Sequence, residues 1–327
     1  MILLMTYNDW SNTGWRFYKC IQTLGIQAQY FKGRKHRFGY PQQGEIHPAL
    51  NKKKPVAKAP VTIEAPELRP LVEKAKVVHF IASTFIDTGA DLSKKPVIVQ
   101  HGGATYRNNF NKVNRVLNPM ATSTIIQSPD LLKLGAKNEH YFCFPVDTDY
   151  IQPNFKTNKH LKIGHFPSNS AAKGTNQILK TIKDVNLDSH YVGKRKPGVK
   201  SEWVNWYDNL MRMSECDIII EKAQFELKRG WSGEFGNTAL EAAALGKIVI
   251  TNSHIENVYH EEYGDHPLLI ANNQKAFENH LHNVLSMSEK DINDLKQKTR
   301  QWAVDKHGIT ATAKRLQEKI YGHLDVD

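Results

Sequence analysis

Short, wholly apolar runs alternate with amphipathic segments along almost the whole of this chain. A chain patterned that way is restricted to parallel sheets whose strands are joined by crossover helices. The pattern begins at once: residues 2–5 read as a buried strand, 8–14 as a polar loop, 15–24 as an amphipathic helix stopped by Gly25, and 27–31 as a second strand. Further strands are expected at 77–82, 97–100, 124–127 and 140–144. A helix is expected after Ser128-Pro129-Asp130, where a capping hydroxyl, a proline at the first turn and an acid coincide, with Gly135 as its stop. Residues 39–70, rich in Pro, Lys and Gln and weak in periodicity, read as a long loop. A polar stretch at 149–159 with Pro153 marks the domain boundary, giving domains 1–152 and 153–327.

The second set repeats the alternation. Strands are expected at 161–165, 190–192, 217–221 and 248–251, and helices at 174–183, 203–213 and 238–245. The tail from 288 to 321 reads as helical, opened by the capping pattern Ser288-Glu289-Lys290-Asp291, and its last helix is expected to pack back on the first domain. The fold class is therefore α/β, with two doubly wound domains in tandem. Ligands of such sheets bind at the carboxyl ends of the strands, and a two-domain version is expected to place a cleft between the domains.

Composition excludes several classes of function. With 40% hydrophobic and 24% charged residues, the chain matches a globular protein rather than a disordered or fibrous one. No apolar run approaches the roughly 20 residues of a spanning helix. Residues 1–5 lack the basic segment and cleavage site of a signal peptide, so the expected location is cytoplasmic. Cys20, Cys143 and Cys216 are far apart and without metal-ligand spacing, which points to a reducing compartment and no zinc. The net charge of +11 is uneven. The first 155 residues hold 20 Lys+Arg against 11 Asp+Glu, and the remainder 24 against 22. Basic residues cluster at 32–37 and 52–54, with Tyr30, Phe31, Phe38 and Tyr40 interleaved. Residues 16–58 thus form either a surface for an anionic partner or a solvated basic face.

Three stretches carry chemistry. At 230–247 a glycine-rich turn runs into an Ala-rich helix whose first amides, at Asn237 to Ala239, are placed to hold an anion such as a diphosphate. Glu241 lies one turn further on, where a carboxylate can accept two ribose hydroxyls or simply complement the helix dipole. At 163–175 a strand end and polar loop deliver Lys173 to the mouth of a helix, a point charge suited to phosphate oxygens or an ordinary surface lysine. At 97–107 a strand ends in His101 followed by Gly102-Gly103. The histidine is in position for a cleft residue, and the glycine pair favours close backbone approach to a ligand.

These stretches, in this order, resemble the GT-B glycosyltransferases, specifically the retaining family 4. The resemblance covers nearly the whole chain and includes the Gly14 loop, the His-Gly element at 101–103, Phe144-Pro145-Val146-Asp147-Thr148-Asp149, Lys173-Gly174, and the turn at 233–236 leading to Leu240-Glu241-Ala242. It implies two Rossmann-like domains, the second holding a nucleotide-diphosphate sugar with UDP foremost and GDP second, and the first holding the acceptor. It also implies roles. Lys173 would bind the diphosphate, Asn237 and Thr238 would donate amides to it, Glu241 would hold the ribose, and His101 would approach the transferred sugar. Gly236, Gly193 and Gly14 are further expected contacts to the nucleotide. The family's two glutamates have seven residues between them; here Glu234 and Glu241 have six, and Gly233 stands in the aligned place, so Glu234 would reach the sugar through a shifted loop. The family's basic residue after the first strand of the second domain is His165 here, which leaves the diphosphate mainly to Lys173.

No cofactor and no metal are expected. Asp147-Thr148-Asp149 is read as part of a turn rather than as a metal-binding acidic pair. The expected activity is retaining transfer from a nucleotide sugar to a hydroxyl of a bacterial glycan or glycolipid. Attack is expected on the front face, with no protein general base. The alternatives are transfer to modified bases of DNA and a non-catalytic binding protein of the same fold. A dehydrogenase is disfavoured, because no G-x-G-x-x-G follows either first strand. The anionic partner of residues 16–58 would be a nucleic acid or the inner face of a membrane.

Overall fold

A computed structural model describes residues 1–51, 61–185, 204–226 and 234–324. The strands are β1 (Ile2–Thr6), β2 (Ala28–Lys32), β3 (Glu45–Ile46), β4 (Thr62–Glu64), β5 (Val77–Phe80), β6 (Phe85–Asp87), β7 (Val97–His101), β8 (Ser123–Ile126), β9 (Glu139–Tyr141), β10 (Ile163–Gly164), β11 (Ile218–Ile220), β12 (Ile248–Thr251) and β13 (Leu269–Ile270). The α-helices are α1 (Thr13–Thr23), α2 (Pro48–Asn51), α3 (Arg69–Lys74), α4 (Gly103–Leu117), α5 (Thr175–Asp184), α6 (Trp206–Ser214), α7 (Asn237–Ala244), α8 (Glu256–Tyr263), α9 (Gln274–Ser286), α10 (Glu289–Trp302) and α11 (Ile309–Lys319). The chain divides into two compact units, Met1–Pro145 with Ile309–Asp327, and Val146–Gly308. The boundary falls a few residues before the polar stretch that marks it in the sequence, and the last helix belongs to the first unit.

In the first unit the described strands form a parallel sheet in the order β3-β2-β1-β5-β7-β8-β9, with a separate pair β4-β6. Every residue of β1 is buried, and its period of two feeds two cores. Leu3 and Met5 join one apolar cluster with Val78, Phe80, Val97 and Val99, while Ile2 and Leu4 join the other. That second cluster is completed by Phe17, Cys20 and Ile21 of α1 and by Ile309, Ala313 and Leu316 of α11. A tail more than 300 residues from the start of the chain therefore covers the face of β1.

The second unit is built on the parallel order β10-β11-β12-β13, with registers such as Ile218 opposite Ile248. Three consecutive isoleucines make β11, and all three are buried. Ala239, Ala242, Ala243 and Ala244 are buried along α7, small side chains that permit close packing.

Several elements differ from the sequence expectation. The helix after Ser128 is a single tight turn, Pro129–Leu131. Ser128 donates its hydroxyl to the Asp130 carboxylate instead of capping, and Leu132 is already extended. The 39–70 loop contains β3, α2 and β4. The tail is two helices, with Ser288 capping α10 through the Asp291 amide at 3.1 Å and a wide turn over Ala303–His307 before α11. The expected strand at 190–192 lies outside the described residues. No described helix is long and apolar enough to cross a membrane.

Candidate functional site

Three neighbouring parallel strands of the second unit end in buried polar residues. His165 follows β10, Glu221 follows β11, and Thr251 closes β12. The His165 ring contacts the Ile220 carbonyl through Nδ1 at 2.8 Å and Thr175 Oγ1 through Nε2 at 2.9 Å. The Thr251 hydroxyl donates to Glu221 Oε2 at 2.7 Å. Lys173 reaches this group from the loop before α5 and ion-pairs with Glu221 Oε1. Its backbone is pinned as well, because the Ala223 amide donates to the Lys173 carbonyl at 3.1 Å. Gly174 has φ +66, and a Cβ there would lie 2.4 Å from the Ala223 carbonyl oxygen. Only glycine lets the loop pass so close to the end of β11.

The turn into α7 meets the same ion pair. Gly236 caps α7 and has no side chain to satisfy the first-turn amides. An added Cβ at Gly236 would stand 3.2 Å from Glu221 Oε1 and 3.3 Å from Lys173 Nζ. The ammonium of Lys173 and the amino end of α7 are therefore neighbours, as an anion site built from a helix terminus and a lysine requires. Of the three amides expected to face the anion, that of Ala239 bonds to the Gly236 carbonyl at 3.0 Å. Lys222, also buried, donates to the Glu234 carbonyl, and the Phe235 amide donates to Glu234 Oε1 at 2.7 Å.

The two glutamates of this group are shifted in opposite directions. Burial raises the Glu221 carboxyl, but the ammonium groups of Lys173 and Lys222 and the hydrogen bonds from Lys173 and Thr251 outweigh it, so Glu221 lies below its ordinary value. Burial pushes Glu234 up to about 7, against the pull of the Phe235 amide and Lys222. Burial also lowers His165 to about 4, so it serves as a neutral bridge between strand ends and not as a cation.

Glu241 sits one turn into α7 and is buried. Its Oε1 accepts the indole N–H of Trp206 at 2.9 Å, so this carboxylate is oriented by a residue at the start of α6. Gly193 and the turn 230–233 lie outside the described residues. Glu221, Lys222 and Trp206 were not singled out in the sequence. The available signal for the first two was a charged pair directly after a strand of three isoleucines, at the ligand-binding end of a parallel sheet.

In the first unit, His101 ends β7 and is fully buried. Its Nδ1 meets Ser83 Oγ at 3.0 Å, its ring stacks on Tyr106 at 4.0 Å, and its Nε2 has no hydrogen-bond partner among the described residues. Burial lowers it to about 3, which keeps the ring neutral. The glycine pair after it opens α4, with Gly103 at φ +65. The Gly14 amide is committed to Asp9 Oδ1 at 2.8 Å, and a Cβ there would strike Tyr30 Oη at 2.4 Å. Gly14 is thus a packing glycine with no spare donor for a nucleotide. In the basic segment, Arg34, Lys35 and Arg37 are exposed, with Arg34 over the Tyr7 ring at 4.8 Å and Arg37 over Phe38 at 5.2 Å. Lys32 is instead buried against Gln43, and Lys52 to Lys54 fall outside the described residues. Asp147 accepts the Tyr150 amide at 3.2 Å, as a turn residue does.

No protein-family model matches the chain, and no curated protein matches it. Solved structures do. HepE of Anabaena in complex with UDP-glucose is 12% identical, with a TM-score of 0.62 over 98% of this chain and 99% of that one. An alpha-glucosyltransferase in complex with UDP and a 13-mer DNA containing an HMU base is 12% identical, with a TM-score of 0.68 over 98% of each chain. Sucrose-phosphate synthase of Thermosynechococcus elongatus is 12% identical, with a TM-score of 0.58 over 98% and 99%. At such identities the likeness is one of fold, and the fold is that of the GT-B glycosyltransferases.

Proposed function

We propose that this chain is a glycosyltransferase that takes its sugar from a UDP-sugar, with GDP as the second candidate base, and retains configuration without a metal. The observation that carries the reading is the convergence of Lys173 Nζ and the amino end of α7 at Gly236. In glycosyl transfer, charge develops on the departing diphosphate, and a preorganised ammonium with helix-terminal amides stabilises it most where charge accumulates. Glu221 holds Lys173 in place rather than acting on substrate. Glu241, anchored by Trp206, is assigned the ribose. Glu234, with its raised carboxyl, is assigned the sugar hydroxyls, to which a protonated acid can donate and a carboxylate accept. His101, neutral and with Nε2 unpaired, is assigned contact with the transferred sugar. The HepE likeness supports the donor, since that protein is seen with UDP-glucose.

The acceptor is a hydroxyl, for which a glycan or glycolipid is the first reading. A hydroxylated DNA base is the second, favoured by the exposed Arg34, Lys35 and Arg37 beside Phe38 and by the likeness to the DNA-bound alpha-glucosyltransferase. The test is a thermal-shift screen of nucleotide sugars, followed by acceptor-free hydrolysis of the hit. UDP-sugars should raise the melting temperature, and Lys173→Ala should abolish hydrolysis. Equal shifts with and without Lys173 would overturn the donor assignment. Binding to DNA and to anionic vesicles, compared over a salt series, then separates the acceptors: a steep loss with salt on DNA alone supports the base, and binding to vesicles alone supports the lipid.

A further inference from the structure

A second polar cluster in the second unit is not used by the donor reading. Glu256 opens α8 and His260 lies one turn on, so both side chains share a helix face. His266 follows in the loop after the helix. Glu256 Oε1 stands 3.2 Å from His260 Nε2 and 3.2 Å from His266 Nε2, and one donor atom from each of the three residues lies within 4.8 Å of the others.

We infer that Glu256, His260 and His266 bind a divalent transition-metal ion, with zinc the best match to two imidazoles and one carboxylate. Three observations support it. The carboxylate-to-imidazole separations are close to the edge of a tetrahedron with bonds of ~2.0–2.1 Å, about 3.3–3.4 Å. The His266 side chain is only 2% exposed, yet its Nε2, which faces Glu256, has no hydrogen-bond partner among the described residues. Its Nε2 touches Glu256 without hydrogen-bond geometry, an arrangement costly for a buried polar ring and natural for two ligands of one ion. Finally, His260 turns its other nitrogen, Nδ1, to Asp265 Oδ1 at 3.2 Å, the carboxylate support that ligating histidines ordinarily have.

The surroundings favour a brace. The His266 ring packs edge-on against Phe235 at 5.7 Å and against Trp302 at 6.1 Å. Phe235 sits between Glu234 and Gly236, so an ion holding His266 would also stiffen the approach to α7. Three protein ligands leave the fourth position to water or a small anion. The inference stands whether or not the chain binds a nucleotide sugar.

The test uses the full chain, stripped with a chelator and titrated with cobalt(II) alone. One equivalent should give the intense visible bands of tetrahedral cobalt, bleached by added zinc, and zinc should raise the melting temperature of the stripped protein. His260→Ala, at a partly exposed helix position, should abolish the bands. Asp265→Asn, at a fully exposed side chain, should weaken the ion by about 10-fold. Circular dichroism of the metal-free variants checks that they fold. Absence of tetrahedral bands in the unaltered chain, or bands of the same strength in His260→Ala, would overturn the inference.

Discussion

The strand β11 carries an ion pair at each end, and the two differ in what encloses them. At its start, Asp217 pairs with Lys296 at 2.8 Å, and neither side chain is exposed. Asp217 also accepts the Lys162 amide and Asn158 Nδ2, both at 2.8 Å, while Lys296 donates to Thr157 Oγ1 and the Lys156 carbonyl. At its finish, Glu221 is equally buried, but Lys173 is 20% exposed and faces the uncapped turn at Gly236. In the proposed reading, the same chemistry does two jobs. A pair whose donors and acceptors are saturated from within the protein closes a structure, and a pair with one charge left at the surface beside helix amides offers a place for an anion.

The largest expected effect falls on the closed pair. Lys296→Met leaves Asp217 charged and buried, and should cost about 3–5 kcal/mol in denaturant unfolding. The folded fraction should still bind UDP with unaltered affinity, and a parallel loss of affinity would dissolve the distinction between the two ends.

A smaller effect separates the two glutamates near the open pair. Because Glu234 is raised from 4.5 to about 7, the folded chain holds a proton that the unfolded chain releases. Its contribution to stability is complete below about pH 4.5 and is lost as pH rises through about 7, a change on the order of 3 kcal/mol. Glu221, lowered by its lysines, runs the other way: its contribution is present above the ordinary carboxylate range and is lost in acid. Urea unfolding at pH 5 and pH 8 should show Glu234→Gln with less pH-dependent loss than the parent chain. An unchanged difference between the two pH values would contradict the assignment.

The smallest effect on stability is expected at Gly236. With φ −113 the backbone tolerates any residue, and an alanine methyl would meet only the far ends of the Glu221 and Lys173 side chains, at 3.2 and 3.3 Å, each needing to yield by a few tenths of an ångström. Gly236→Ala should therefore change stability by no more than about 0.5 kcal/mol. It should nevertheless weaken UDP binding by displacing Lys173, measured by calorimetry against the parent, and a destabilised variant with intact binding would reverse the roles given to this turn.

The same physics explains what was legible in the sequence. Buried parallel strands need continuous apolar runs, so β1, β7, β11 and β12 stand out, and with them the alternation that defines the fold. The expectations at Lys173, Gly236 and Glu241 rest on local patterns, a glycine turn into a helix and a lysine at a helix mouth. What joins them is not local. Glu221 lies 48 residues from Lys173, and Trp206 lies 35 from Glu241, separations across which no periodicity carries information. α4 was missed because Arg107 to Asn114 hold few apolar residues, and only Tyr106, Val113 and Leu117 along the helix are buried. The turn after Ser128 was misread because the capping oxygen there has a competing partner, Asp130, which also takes Arg107 at 2.5 Å.

The most direct test of the account is the affinity of UDP, measured by isothermal titration with a chelator present, for the parent chain, Lys173→Met and Lys296→Met. The prediction is binding by the parent and by folded Lys296→Met, and a loss of about 10²-fold or more in Lys173→Met, as expected for removal of a charge-assisted contact worth about 3 kcal/mol. Equal affinity in the parent and Lys173→Met would contradict the claim that this ammonium and the amino end of α7 hold a diphosphate together.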